Sequence, residues 1–453
     1  MRRTSAAFAA LFVLLGAACQ TTADAPRRRA VAQPTSIEDL ERRTFRWFWD
    51  TANPHSYLVP DRWPTKSFSS IAAVGFGLTA YGIGAERGYV TREQARDRVL
   101  ATLRSLLAMP EGAQPTGVTQ YRGFYYHFLD METGARYKEV ELSTIDSTWL
   151  FAGALFCQSY FDRDDPSEKA IRDAVEEMYG RAEWDWAAPR PPAITMGWSP
   201  EHGFHTYDWR GYNEGMMVVI LALGSPTHPI GASAWDEWTK TYKWDTFYGQ
   251  EHLVFAPLFG HQYTHMFIDF RGIQDAYMRA HGIDYFENSR RATLTQRAYA
   301  NENPGRWKDY GGDIWGLTAC DGPGDTTVAG RTYMGYAARG AAPGDIRDDG
   351  TLAPTAAASS IPFTPEISIA AIEAMQKRYG SSLYREYGFA DAFNPTFQNG
   401  WFDVDYLGID QGPIVVMIEN YRTGLVWEKM KKNPHVVRGL RRAGFTGGWL
   451  ENR

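Results

Sequence analysis

The chain has 453 residues, 44% of them apolar, and a formal charge of −6 from 47 Lys and Arg against 53 Asp and Glu. That balance argues against a nucleic-acid partner, which calls for a basic surface, and suits a neutral ligand. Aromatics reach 14%, with 16 Trp, 25 Tyr and 24 Phe, enough for a large core and also for platforms that accept the apolar faces of sugar rings.

The N-terminal stretch "MRRTSAAFAALFVLLGAACQ" places Arg2 and Arg3 before an apolar run, Ala6 to Leu15, that is too short to span a membrane. Gly16, Ala17 and Ala18 then precede Cys19. This resembles a bacterial lipoprotein signal in which Cys19 is lipidated. A plain secretory cleavage after Ala25 competes, with Pro26 against it. The expectation is an exported protein, periplasmic or an outer-membrane lipoprotein, that meets a membrane through its lipid alone. Residues 1–19 are read as signal, 20–36 as a polar tether and 37–450 as one domain. The remaining cysteines, Cys157 and Cys320, do not form the pattern of a disulfide framework.

Helical periodicity then recurs along the chain. "SIEDLERRTFRWFWDTA" begins at a Ser36 cap. "SFSSIAAVGFGLTAYGIGAERG" is apolar nearly all round, so it predicts a buried helix. "TREQARDRVLATLRSLLAM" opens on a capping-box-like Thr91 and is charged on one side, so it predicts an outer helix. "STIDSTWLFAGALFCQSYF" (inner) and "SEKAIRDAVEEMYGRA" (outer) repeat the alternation, and "NEGMMVVILALG" and "GIDQGPIVVMIENYRTG" add inner helices. Roughly a dozen helices result. Alternate buried and amphipathic helices predict an all-α (α/α)6 barrel. "GFYYHFLDMETGARYKEVELS" predicts a small β-hairpin turning at Glu132–Gly134, and Gly/Pro-rich loops over 303–362 are long enough to carry function.

In such a ring the loops before the inner helices open on one face. Acids recur there: Glu139, Glu141 and Asp146 in "KEVELSTIDST", Glu214 in "YNEG", Asp321 in "TACDGPG", Glu366 in "TPEIS", and Asp403, Asp405 and Asp410 in "WFDVDYLGIDQGP". Several also suit a helix first turn for stability alone. Together with interleaved aromatics they predict a cleft for glycoside hydrolysis, where one carboxyl protonates the leaving oxygen and a second activates water or attacks the anomeric carbon. Glu214, at the edge of an apolar run, is the candidate acid. His261, His265 and Asp269 are four apart on one predicted helix face, but no Glu follows His261 as a zinc-protease motif requires. "DIRDDG" at 345–350 has calcium-like acids that solvated loops also show. No metal and no cofactor is expected.

The motifs "GYNEGMMVVILALGSPTHP", "PLFGHQYTHMFIDFRGI", "DYFENSRRATLTQRAYA", "WGLTACDGPG", "DDGTLAPTAAASSIPFTPEI" and "WFDVDYLGIDQGPIVVMIENYRTGLVW" resemble the bacterial glucoamylase-like domain family over nearly the whole chain from Ile37 to Leu450. The resemblance implies an (α/α)6 barrel and glycoside hydrolase activity, as in endo-β-1,2-glucanases that release sophoro-oligosaccharides. Other members act on sophorose-type oligosaccharides or are transglycosylases. It implies Glu214 as general acid. For the second carboxylate it points to the segments holding Asp410, Asp405, Asp146 and Glu141, in that order of preference. Tyr212, His261, Gln262, Trp198, Trp315, Asp321, Glu366, Trp401 and Asp403 are the expected substrate-binding residues, with a monomer and a neutral glucan or oligosaccharide partner. A polysaccharide lyase is disfavoured because it needs basic groups for a uronate. A non-catalytic glycan-binding lipoprotein is the remaining alternative.

Overall fold

The computed structural model describes residues 35–452. Cys19, the expected signal and the tether up to Pro34 lie outside the described residues. Within them are fifteen α-helices. They are α1 (Thr35–Thr51), α2 (Ile71–Glu86), α3 (Arg92–Ala108), α4 (Thr144–Tyr160), α5 (Pro166–Gly180), α6 (Met216–Gly224), α7 (Ser233–Thr239), α8 (Phe259–Phe267), α9 (Ala276–His281), α10 (Tyr285–Glu302), α11 (Pro354–Ala358), α12 (Pro365–Tyr379), α13 (Gly408–Arg422), α14 (Leu425–Met430) and α15 (Pro434–Arg442).

The alternation of apolar and amphipathic segments becomes an alternation of burial. Every residue of α2 from Ile71 to Gly84 is buried, as is all of α6. In α3 the buried positions are Ala95, Val99, Leu100, Thr102, Leu103 and Leu106, one stripe of a helix whose other face meets solvent. Thr91 and Gln94 close the expected capping box at its start. Helix α2 packs on α4 and α13, α4 on α6, and α13 on α8, so the buried helices are consecutive neighbours. The amphipathic α1, α3 and α5 cover them.

Two local devices bring the buried helices close. A Cβ on Gly153 would lie 1.9 Å from the Gly75 carbonyl oxygen, and a Cβ on Gly75 would lie 2.2 Å from that of Trp149. The backbones of α2 and α4 therefore touch where any side chain would hold them apart. In α13, Pro413 lacks the N–H that would bond the Ile409 carbonyl. The Tyr263 hydroxyl of α8 donates to that carbonyl instead, at 2.8 Å. On the outer side, buried Glu41 of α1 pairs with Arg422 of α13, while Arg87 at the end of α2 donates to Glu419 at 2.5 Å. Removing one partner of such a buried network strands the others.

The β-structure is more dispersed than the one expected hairpin. Its turn is present, with Gly134 N donating to Asp130 O at 2.9 Å and Leu129 opposite Arg136. Its arms pair again further from the turn, at Tyr126 opposite Leu142 with His127 N donating to Glu141 O at 2.9 Å, and each arm takes a further partner: Phe128–Leu129 pairs with Ser69–Ser70, and Leu142–Ser143 joins Gly197–Ser199. Short strands of this kind form nine two-stranded sheets and one three-stranded sheet among the described residues. Three of these strands, 69–70, 142–143 and 406–407, run directly into α2, α4 and α13, so they set where those helices begin.

Gly153→Ala is expected to destabilise the fold by about 1–3 kcal/mol, the cost of forcing a methyl into a closed contact. Chemical denaturation checks this. A midpoint equal to wild type would show that α2 and α4 are not in backbone contact.

Candidate active site

A pocket of about 170 Å3 lies where the buried helices begin. Ala72 comes from the first turn of α2, Ile145 and Asp146 from that of α4, Phe259 from that of α8 and Ile409 from that of α13, and Glu214 just precedes α6. The expected convergence of inner-helix starts on one face is thus built. Larger clefts of about 360 and 340 Å3, beside Trp63 and beside Tyr212, are lined by Asp50, Glu132 and Asp345, none of them buried.

Glu214 is half-buried and sits before the helix rather than in its first turn. Asn213 does not cap α6. Its Oδ1 accepts Gly215 N at 2.8 Å in a local turn. Gly215 holds the N-cap position, and a Cβ there would lie 2.5 Å from the Trp209 ring. Trp209 is itself fixed by donating from Nε1 to Thr144 Oγ1 at 2.9 Å. The carboxyl is thereby aimed from a rigid turn. Burial, with the Asp146 charge adding to it, pushes Glu214 up to about 7.

Asp146 is buried and accepts from Ser143 Oγ at 2.5 Å. His127 lies between two acids, with Nδ1 2.8 Å from Glu141 and Nε2 3.5 Å from Asp146. Burial opposes its charge, but Asp146 and Glu141 outweigh that and raise His127 to about 9. The imidazolium in turn holds Glu141 below the usual range against the effect of burial. Burial raises Asp146 despite His127.

A second group of acids stands beside the first. Asp61, Asp391, Asp403, Asp405 and Asp410 are buried, and Asp321 is half-buried. Arg62 reaches Asp321 at 2.6 Å, Asp61 at 3.1 Å and Asp405 at 4.0 Å. Asp405 also accepts Thr65 N at 2.8 Å, and Asp391 accepts Asp321 N at 2.8 Å. Asp391 and Asp410 share a hydrogen bond. Burial and the Asp410 charge drive Asp391 far upward. Burial places Asp410 at about 7 and Asp403 at about 8. One trio, Asp321, Asp391 and Asp403, brings an oxygen from each within 4.8 Å of the others, a spacing that can hold a metal ion. Arg62 already supplies positive charge at Asp321.

Other expected site residues fall elsewhere. Glu366 is exposed in the first turn of α12, where the helix dipole accounts for it, and Glu139 is exposed too. Trp315 is fully buried core. His261 is buried against the carbonyl of Phe255 in the loop before α8, at 3.1 Å, and Gln262 ties α8 to α11 by donating to Ala356 O and to Ser360 Oγ beyond it. Trp198 packs on Tyr121 and Trp186, and Trp401 packs on the small cluster of Cys320, Ala353 and Ala392. Tyr212 stacks on Tyr285 and lines the neighbouring cleft. The His261, His265 and Asp269 spacing does not form a site: α8 ends at Phe267, His265 meets Ser289, and Asp269 pairs with Arg271 and Lys431. In "DIRDDG", Asp348 accepts from Tyr299, Trp307 and Tyr310, while Asp349 pairs with Arg339. Four residues that sequence reasoning missed, Asp61, His127, Asp391 and Tyr336, stand at or beside the pocket. Asp61, Asp391 and Tyr336 come from irregular segments with no periodicity to mark them, and His127 lies in the predicted hairpin, whose alternation marks strands and not chemistry.

The family model "Glycoamylase: Putative glucoamylase" matches residues 206–434. A curated relative from Parabacteroides distasonis, named "Exo beta-1,2-glucooligosaccharide sophorohydrolase (non-reducing end)", is 31% identical over 440 residues. The match covers 90% of this chain but 57% of the relative, so the chain spans little more than half that protein's length. The structure of an endo-β-1,2-glucanase from Chitinophaga pinensis, in complex with sophorotriose and glucose, superposes with a TM-score of 0.81 at 31% identity, covering 92% of this chain and 99% of that one. A β-1,2-glucanase from Parabacteroides distasonis superposes with a TM-score of 0.79 at 29% identity, over 90% of this chain and 60% of that one.

The raised Glu214 carboxyl makes a stability prediction. In the folded state it holds its proton up to about 7, against 4.5 when unperturbed. Its contribution is therefore complete below pH 4.5 and lost as the pH rises through 7. Glu214→Gln, which cannot ionise, is expected to gain on wild type by about 1–3 kcal/mol between pH 5 and pH 8. Denaturation of both proteins at those two pH values checks it. A constant difference would place Glu214 in a solvated, unperturbed site.

Proposed function

The chain belongs to the glycoamylase family, and we propose that it is a glycoside hydrolase that cleaves β-1,2-glucan to sophoro-oligosaccharides. The observation that carries the reading is Glu214, a carboxyl kept protonated near neutrality on a rigid turn at the mouth of a pocket with a second set of carboxylates beside it. The neighbouring order of the buried helices and their shared starting face support an (α/α)6 barrel. A cleavable Cys19 lipoprotein signal, placing the enzyme in the periplasm or at the outer membrane, belongs to the same proposal.

In this reading the Glu214 proton passes to the glycosidic oxygen as the bond to the anomeric carbon breaks. Asp410 is the second carboxylate. Its carboxyl is buried beside Asp391, and the hydrogen bond between the two lowers Asp410 against the effect of burial. Asp146 has another role. Held by Ser143 and charge-balanced by His127, it disfavours ionisation of Glu214. Asp405 is engaged by Thr65 N and Arg62 and positions the loop. Glu141 orients His127.

Incubation of the purified chain with linear β-1,2-glucan, with starch and β-1,3-glucan as controls, is expected to give short sophoro-oligosaccharides from the first alone. Glu214→Gln is expected to fold and to lose about 1,000-fold or more in turnover. An active Glu214→Gln enzyme would remove Glu214 from the mechanism.

The pH dependence follows from the two carboxyls. Loss of the Glu214 proton lowers kcat/KM above about 7, and protonation of Asp410 lowers it below about 7. A bell centred near neutrality is expected. A profile flat from pH 5 to pH 9 would contradict both assignments.

A further inference from the structure

Tyr336 is an exposed aromatic residue on a backbone that has almost no freedom. More than half of its surface, 54%, is open, yet it lines the same pocket as Glu214 and Asp146. It stands in an arch whose feet, Ala319–Cys320 and Ala337–Ala338, pair as antiparallel strands. The arch is locked from inside by Arg339, which is fully buried. The Arg339 guanidinium grips Asp349 with Nε at 2.7 Å and Nη2 at 2.9 Å. It also donates to the carbonyls of Cys320 at 2.8 Å and of Met334 and Gly335 at 3.0 Å each. From the other side, Met334 N donates to Asp349 and Gly335 N to Asp325, both at 2.9 Å. Gly322 lets the clamp close, since a Cβ there would lie 2.2 Å from both Arg339 Nη2 and Met334 O.

A buried charged clamp that orders a surface loop is costly to assemble. The residue it presents makes no apparent use of it for stability. Among the described residues no group hydrogen-bonds the Tyr336 hydroxyl, although Asp410, Asp391 and Asp61 all act on it electrostatically. An open ring face, an unclaimed hydroxyl and a fixed backbone form a group organised for a partner from outside the chain.

We propose that Tyr336 is a substrate-binding residue, a platform whose ring covers the apolar face of a β-1,2-linked glucosyl unit in the pocket and whose hydroxyl bonds that unit. This rests on the glycan reading above. The ligand class follows from the surroundings. The pocket joins Tyr336 and Trp149 with the Asp146 and Glu214 carboxyls, which hydrogen-bond sugar hydroxyls, and its His127 is already engaged by Glu141 and Asp146, which leaves no lining cation for an anionic ring and suits a neutral sugar.

Binding of sophorotriose, measured by calorimetry on full-length Glu214→Gln, separates this inference from the reading beneath it. The Glu214→Gln protein is expected to bind it. Adding Tyr336→Ala is expected to weaken binding about 10-fold or more, and adding Tyr336→Phe, which keeps the ring, by about 2–5-fold. In the otherwise unchanged enzyme Tyr336→Ala is expected to raise KM more than it lowers kcat, with an unaltered unfolding curve because the side chain is exposed. Equal affinity with and without Tyr336→Ala would overturn the platform while leaving the substrate reading intact. Absence of sophorotriose binding in Glu214→Gln itself would overturn the substrate reading and the platform with it.

Discussion

The backbone contact between α2 and α4 at Gly75 and Gly153 is the constraint from which the pocket follows. With no side chain between them, the two helices approach until backbone meets backbone. The same device recurs at the next contact round, where a Cβ on Gly412 of α13 would lie 2.3 Å from the Phe76 ring of α2. Close axes bring close first turns. Ala72, Asp146 and Ile409 therefore share one small space, although 337 positions separate Ala72 from Ile409 (409 − 72). The short strands that lead into α2, α4 and α13 fix the axial position of those turns, so the pocket has a floor and not merely an axis.

Gathering helix N-termini creates a site with opposing electrostatic tendencies. Each helix start presents free N–H groups and a partial positive charge, which favours carboxylates there. Each apolar helix body also removes water, which disfavours their charge. The balance differs by residue. Glu141 has His127 in direct contact and stays low. Glu214 and Asp403 have no cation in contact among the described ion pairs, and burial carries them to about 7 and about 8. Arg62 contacts three of the six acids in the second group, so protons must neutralise much of the remainder. Proton sharing among acids is the condition in which a carboxyl can serve as an acid near neutral pH.

Which parts of this were legible in the sequence depends on what repeats. The buried helices announce themselves because apolar residues on every face have nowhere else to go. Thr91 with Gln94, and the acids before α4, α6 and α13, follow local rules that need no tertiary knowledge. Glu214 was legible because a carboxylate beside nine consecutive buried residues, Met216 to Gly224, has no comfortable place in a core. The rest depends on long-range contact. Asp391 matters through Asp410 and Asp321, and His127 through Asp146, pairings that no spacing encodes. Trp315, His261 and Gln262 carry the residue types of a sugar site, but the helices facing them close over them, and depth of burial is not a local property. The hairpin was legible from its alternation and turn, but the further strands that its arms join come from elsewhere in the chain and left no local mark.

The two principal carboxyls begin from similar circumstances. Both stand at the start of a buried helix, and burial raises both to about 7. Their neighbours make them different. Asp410 touches Asp391, whose carboxyl burial drives far upward, and the hydrogen bond between them lowers Asp410 against the effect of burial. Glu214 faces Asp146, whose charge His127 favours, and that charge adds to burial in raising Glu214. One acid is thus eased toward losing its proton by its neighbour, and the other toward keeping it. The imidazolium of His127 is in this sense the origin of the asymmetry. Protonated between Glu141 and Asp146, it opposes the upward push of burial on Asp146, and the Asp146 charge adds to burial in raising Glu214.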